Sequence, residues 1–211
     1  NWRAWRDFSN GQLGDFGCHI LDPVFMALEI SAPRTVRAEA EGLSAELWAT
    51  KSRVVWEFPG TRRTAGPTVT VTWYDGEGHV PTHERLGLAA EVPLPGSGSA
   101  IIGTEGTLLV PHVAMPYLAP TEKFATFEIP VQDARNHYTS WVDAIRGTDT
   151  ATSHFGYSGP LTETVLLGTI AVRNPGRLLE WNAPAFTLSG APHASEALTK
   201  AYRGGWMPAW V

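Results

Sequence analysis

"TVTVTWYDGEG", residues 68–78, alternates strictly. Val69, Val71 and Trp73 fall on one side of an extended chain, the threonines on the other, and a glycine turn follows. Successive side chains of a strand point to opposite faces, so the stretch predicts a strand in a sheet with one buried face. Similar runs occupy 36–40, 54–58, 101–102, 108–110, 124–129 and 178–181. "GTEG", 103–106, lies between two apolar runs and predicts a hairpin turn whose glycines supply positive φ. Residues 86–99, rich in Pro, Gly and Ser, predict a surface loop.

Three segments switch from a period of two to a helical period. In 15–28, Phe16, Ile20, Leu21, Val24, Phe25 and Leu28 recur at three and four. Pro23 interrupts them, so either the helix kinks there or Asp22 caps a second helix with Pro23 in its first turn. "NHYTSWVDAIRG", 136–147, carries an apolar stripe of Tyr138, Trp141, Val142 and Ile145, and Gly147 suits a left-handed cap. "SGPLTETVLLGTIAVRNPG", 158–176, puts Pro160 in a first turn and Glu163 near the positive end of the dipole. It is apolar nearly all round and is expected to be buried. A helix, several strands, two helices, a strand and a tail give an α+β domain with helices on one face of a mainly antiparallel, open sheet.

The 211 residues suffice for one sizeable core, and the expectation is a single domain over 1–211, with 1–13 leading in and 191–211 as a Trp-containing tail. The net charge of −5 is scattered, without lysine or arginine runs, which argues against a nucleic-acid footprint or a polybasic membrane patch. Cys18 is the only cysteine, so no internal disulfide forms. No stretch approaches the roughly 18 apolar residues of a membrane span, and no leader is seen. Of nine tryptophans, Trp2, Trp5, Trp206 and Trp210 sit near the ends, where they need a surface on this domain or on another.

Chemistry concentrates in "GQLGDFGCHILDP", 11–23. On a helix, Asp15, His19 and Asp22 fall within roughly 60° of one another. An imidazole moves protons near neutral pH, and a carboxylate one turn away can fix its tautomer or bond the same hydroxyl. Gly11, Gly14 and Gly17 would let a ligand approach the backbone. The bland alternative is equally weighted: Asp15 and Asp22 as caps, His19 bonded to a loop carbonyl. A divalent cation is a third reading, since two carboxylates and a histidine suit one. Asn136, His137 and His154 lie at the starts of the two later helices, where hydroxyl-rich or anionic ligands are favoured. His79, His83, His112 and His193 read as solvated loop residues. No G-x-G-x-x-G, P-loop, G-x-S-x-G or paired-cysteine motif occurs.

"GQLGDFGCHILDPVFMAL" resembles the glycine-rich "GG-x-L-x-D-x-G-x-H-x-x-D" stretch opening the second domain of the glucose-fructose oxidoreductase, inositol dehydrogenase and MocA family. "IIGTEGTLLV", "HYTSWVDAIRG" and "GPLTETVLLGTIAVRNPGRLLEW" are similar, in order, to its hairpin, its "AI-x-x-G" helix and its last helix and closing strand. "WRDF" and "AYRGGW" resemble the branch abundant in planctomycete-type bacteria.

The resemblance implies the substrate-binding half of a two-domain NAD(P)-dependent oxidoreductase acting on a sugar, sugar derivative or polyol. His19 would be the proton acceptor or donor and Asp15 its orienting partner. NAD or NADP would sit in an N-terminal Rossmann domain, which also brings a lysine from an "E-K-P" motif. That domain lies outside these residues, so the chain is expected to be a piece of a longer protein that binds no cofactor tightly alone. No metal is expected. Copies are expected to pair through the sheet, on the Val69, Val71 and Trp73 face or its reverse. Also open are an NAD-assisted glycosidase or lyase of the same family, and a non-catalytic binding or scaffold domain. The location is expected to be cytoplasmic, with a periplasmic one open.

Overall fold

The computed structural model describes residues 2–130, 132, 135–200 and 202–207. It is α+β. Strands β1 (Thr35–Glu41), β2 (Lys51–Pro59) and β3 (Thr68–Asp75) form an antiparallel meander. β7 (Leu178–Asn182) joins the free side of β1, and β8 (Thr187–Ser189) lies beyond it, giving the order β3-β2-β1-β7-β8. A second, three-stranded antiparallel sheet holds β4 (Gly98–Ile102), β5 (Thr107–Pro111) and β6 (Tyr117–Ala119).

The alternation in 68–78 translates directly into layers. Val71 and Trp73 share a buried face with Val54, Trp56, Phe58, Val36, Ala38, Leu179 and Trp181. The reverse face carries Arg37, Glu39, Glu57, Thr70 and Glu180, all exposed. Helices α1 (Gly11–Leu28) and α3 (Phe155–Val172) cover the buried face, α3 on β1 and β2 and α1 between α3 and β4. The reverse of the Val71 and Trp73 face is thus left open.

Four tryptophans lock these layers, each burying an indole and finding an acceptor for its N–H. Trp56 donates to the Thr164 carbonyl of α3 at 3.1 Å, Trp181 to Glu163 at 2.8 Å, Trp73 to Asp75 at 2.8 Å and Trp48 to the Ser9 carbonyl at 2.7 Å. Where α1 crosses α3, a Cβ on Gly168 would stand 2.5 Å from the Trp56 ring and 2.7 Å from Leu13. One on Gly17 would stand 2.9 Å from Leu13 and 3.2 Å from Val165. Gly14 is crowded by Asn10, and Gly11, at φ +73°, by Trp48. These glycines admit neighbouring protein rather than a ligand.

Several expectations are corrected. Residues 124–126 turn and 127–129 run without regular structure instead of forming a strand, and β6 takes the edge of β5. Phe124 covers Gly106, where a Cβ would meet its ring at 2.6 Å. The "GTEG" hairpin forms, yet neither glycine has positive φ; Gly106 is required because a Cβ there would also meet the Ala119 carbonyl oxygen at 2.4 Å. Within 86–99, Leu86 and Leu88 bury against Leu109 and Ala119 in a small second core. α3 begins at Phe155, so Pro160 lies inside the helix and Glu163 serves Trp181 rather than the first turn.

Helix α2 (His137–Ile145) departs furthest. Its stripe is not packed: Tyr138 is 81% exposed, Trp141 67% and Ile145 67%. Of the terminal tryptophans, Trp2, Trp5 and Trp206 are exposed, although the Trp5 backbone pairs with Leu47, and Trp210 lies outside the described residues. Among the described residues no helix is long and apolar enough to cross a membrane.

Candidate functional site

The site is built on α1, which runs unbroken through Pro23. Pro23 has no N–H for the carbonyl four residues back, that of His19. The turn so weakened is held from both sides. Ser99 of β4 donates its hydroxyl to the Ile20 carbonyl at 2.5 Å, and Tyr157 of α3 donates to Asp22 Oδ1 at 2.6 Å and to the Asp22 carbonyl at 3.0 Å. Asp22 is therefore a tether to α3, not a cap. Burial first, then the bond to Asp22 and its charge, push the Tyr157 phenol above its ordinary range.

The ends of α1 are pinned as well. Arg3 Nε donates to Asp15 Oδ2 at 2.5 Å. At the far end Glu29 adopts φ 52°, and Thr61 donates to the Leu28 carbonyl at 2.6 Å. Arg62 bonds Glu29 through Nε and Nη2, each at 2.7 Å, and Arg63 adds a contact at 3.2 Å. The hydrogen bonds from Arg62 lead in holding the Glu29 carboxyl down at about 2.

On the exposed strip of this rigid helix lies His19, one turn beyond Asp15. Asp15 is half-buried and turned to Arg3. Among the described residues His19 makes ring contacts but no side-chain hydrogen bond: its ring is 5.6 Å from Phe16 and 5.5 Å from His112. His112 follows β5 and packs on Phe16 at 4.7 Å. Its sequence context predicts a solvated loop residue, but the fold brings it beside His19. No local pattern marks it, because only the packing of β4 and β5 beside α1 makes that contact.

Other sequence candidates fare differently. Asn136 caps α2, accepting from the Tyr138 and Thr139 amides at 3.0 Å each, and His137 stacks on Tyr138 at 5.3 Å. His154 is the residue before α3, and its side chain accepts no capping hydrogen bond. Neither histidine has a ring contact with His19. His79 and His83 bond the Asp75 and Val92 carbonyls, and Glu196 raises the pKa of His193 through a 2.6 Å contact. Among the described residues no three His, Cys, Asp or Glu side chains converge on a possible metal position.

A cleft of about 1820 Å³ opens beside the strip, lined by Gln12, Phe16 and Ile20 of α1, Trp73 of β3 and Ser99 and Ile101 of β4. Asp15 and His19 lie outside it, and Phe16 borders both the cleft and the histidine pair. The chemistry-bearing strip is thus an open surface.

With this geometry in hand, the chain can be set beside known proteins. No family model and no curated protein sequence matches it. Among solved structures it is similar to an NAD-binding protein from Listeria innocua, with 17% identity, a TM-score of 0.54, and coverage of 85% of this chain and 50% of that one. The likeness is one of fold. The chain spans about half the length of that structure.

Proposed function

We propose that this chain is the substrate-binding half of an NAD(P)-dependent oxidoreductase acting on a sugar, sugar derivative or polyol, as the family resemblance implies. The observation that carries the reading is His19, exposed one turn from Asp15 on a helix pinned at four places, with no protein hydrogen bond among the described residues. A proton-transfer group needs that combination of fixed position and free nitrogen. The Listeria innocua neighbour, named as NAD-binding and twice the aligned length, supports the reading.

His19 takes the hydroxyl proton at an imidazole nitrogen; a nicotinamide, held by another domain, would supply the hydride-accepting chemistry at the same carbon. Asp15, anchored by Arg3, orients the hydroxyl or the ring. Among the described residues both sheets are antiparallel throughout, unlike the parallel strand–turn–helix unit that holds a pyrophosphate. As the resemblance implies, NAD or NADP would sit in a further domain, which would also close the open strip over His19. Copies pair through the open face around Val55 and Thr70, and Val55→Glu is expected to dissociate them in light scattering.

The test is His19→Ala in the full-length protein. Steady NADH or NADPH formation with a sugar or polyol is expected, falling by about 10²–10⁴-fold in the variant. Turnover without net cofactor reduction, or a variant as active as the parent, overturns the reading.

A further inference from the structure

We infer that His112 is a second substrate-contacting residue. On this view Phe16 and His112 form a ring wall beside His19 that selects cyclic polyhydroxylated substrates over open-chain ones. The inference rests on the proposed function and deepens it. Three aromatic rings from two elements meet here, Phe16 to His112 at 4.7 Å, His112 to His19 at 5.5 Å and Phe16 to His19 at 5.6 Å.

A purely structural contact between α1 and the small sheet would favour buried apolar side chains. Here both imidazoles are exposed, and among the described residues neither has a side-chain hydrogen bond to protein. The backbone, in contrast, is fixed: the His112 amide donates to the Ser97 carbonyl at 2.9 Å, extending the β4–β5 ladder by one rung, and β4 is itself bonded to α1 through Ser99.

A pyranose or cyclitol matches this surface. One face of such a ring presents C–H groups, which rest on aromatic faces, and its rim presents hydroxyls, which both donate and accept hydrogen bonds. With its C–H face on Phe16, the ring would bring one hydroxyl to His19 for proton transfer and another to a nitrogen of His112, whose ring stands at 62° to that of Phe16. An open-chain polyol supplies the hydroxyls but no flat C–H face, so it would lose the wall.

The experiment uses the full-length protein with its cofactor and a panel of myo-inositol, D-glucose, D-xylose, D-sorbitol and glycerol. For the best cyclic substrate, His112→Ala is expected to raise KM about fivefold to tenfold and to change kcat far less, since one neutral hydrogen bond and one ring contact are lost. His112→Gln, which keeps an N–H donor, is expected to recover part of the loss. Phe16→Leu is expected to narrow the preference for cyclic over open-chain members. Unchanged KM in His112→Ala, in a protein whose melting temperature is also unchanged, overturns the inference. If His19→Ala is then inactive, the proposed function stands without it.

A second readout needs no turnover. The imidazole C–H resonances of His19 and His112 are followed by NMR as each panel member is added. Joint shifts with the cyclic members are expected. A shift at His19 alone, or at neither ring, overturns the role of His112.

Discussion

Helices α1 and α2 carry apolar stripes of similar spacing, yet one is locked into the protein and the other stands open. Phe25, Leu21 and Val24 of α1 are buried, and the helix is bonded to β4 and α3. Tyr138, Trp141 and Ile145 of α2 are exposed, and no residue of that helix is buried. The open helix is the one with a side-chain cap, from Asn136, whereas Asn10 makes none at the start of α1, so the difference lies outside either helix. Periodicity specifies a face; what covers the face is decided by the elements that reach it.

The comparison can be broken most forcefully at the lock. Trp56→Ala removes the indole between the sheet and α3 and is expected to cost about 3–5 kcal/mol, measured by urea unfolding. Gly168→Val forces a side chain into the α1–α3 crossing and is expected to cost about 1–3 kcal/mol in the same assay. Tyr157→Phe deletes the tether to Asp22 and is expected to cost about 1 kcal/mol, with increased amide exchange around 19–23.

On α2 the expected effects are local and smaller. Asn136→Ala should cost that helix about 1 kcal/mol, seen as lost exchange protection in 137–145 with an unchanged global midpoint. Trp141→Ser should move the global midpoint by no more than about 0.5 kcal/mol, since the indole is already in water. Acid should separate the helices again. Glu29 has a folded pKa of about 2, below its ordinary 4.5, so its contribution is present above 4.5 and fades as pH falls towards 2. Exchange at the end of α1 should rise through that window and exchange in α2 should not follow it.

Much of this was legible in the chain. Strict alternation located β3 and its buried face, and the all-round apolarity of 161–172 correctly implied a buried helix. The limits were tertiary. Residues 124–129 have strand composition, but the edge of β5 was filled by three residues at 117–119. Pro160 looked like a helix start because an interior proline is rare, whereas α3 extends a further turn on its N-terminal side. In the site, Asp15 and His19 were visible from spacing, since one helix carries both. Asp22 was misread because its partner, Tyr157, lies 135 residues away. His112 escaped for the same reason.

The crossing of α1 over α3 also bears on how this protein can diverge. Gly168 leaves no room for a Cβ beside Trp56 and Leu13, and Gly17 leaves little beside Leu13 and Val165. Most surface positions can drift freely while the fold persists, as the 17% identity to a similarly folded protein illustrates. A Cβ at Gly168 would have to displace the Trp56 indole, and one at Gly17 would be admitted only if the Leu13 side chain and Val165 give way. A search for remote kin of this chain would therefore do better to weight a pair of small residues at those positions than to weight the more eye-catching tryptophans.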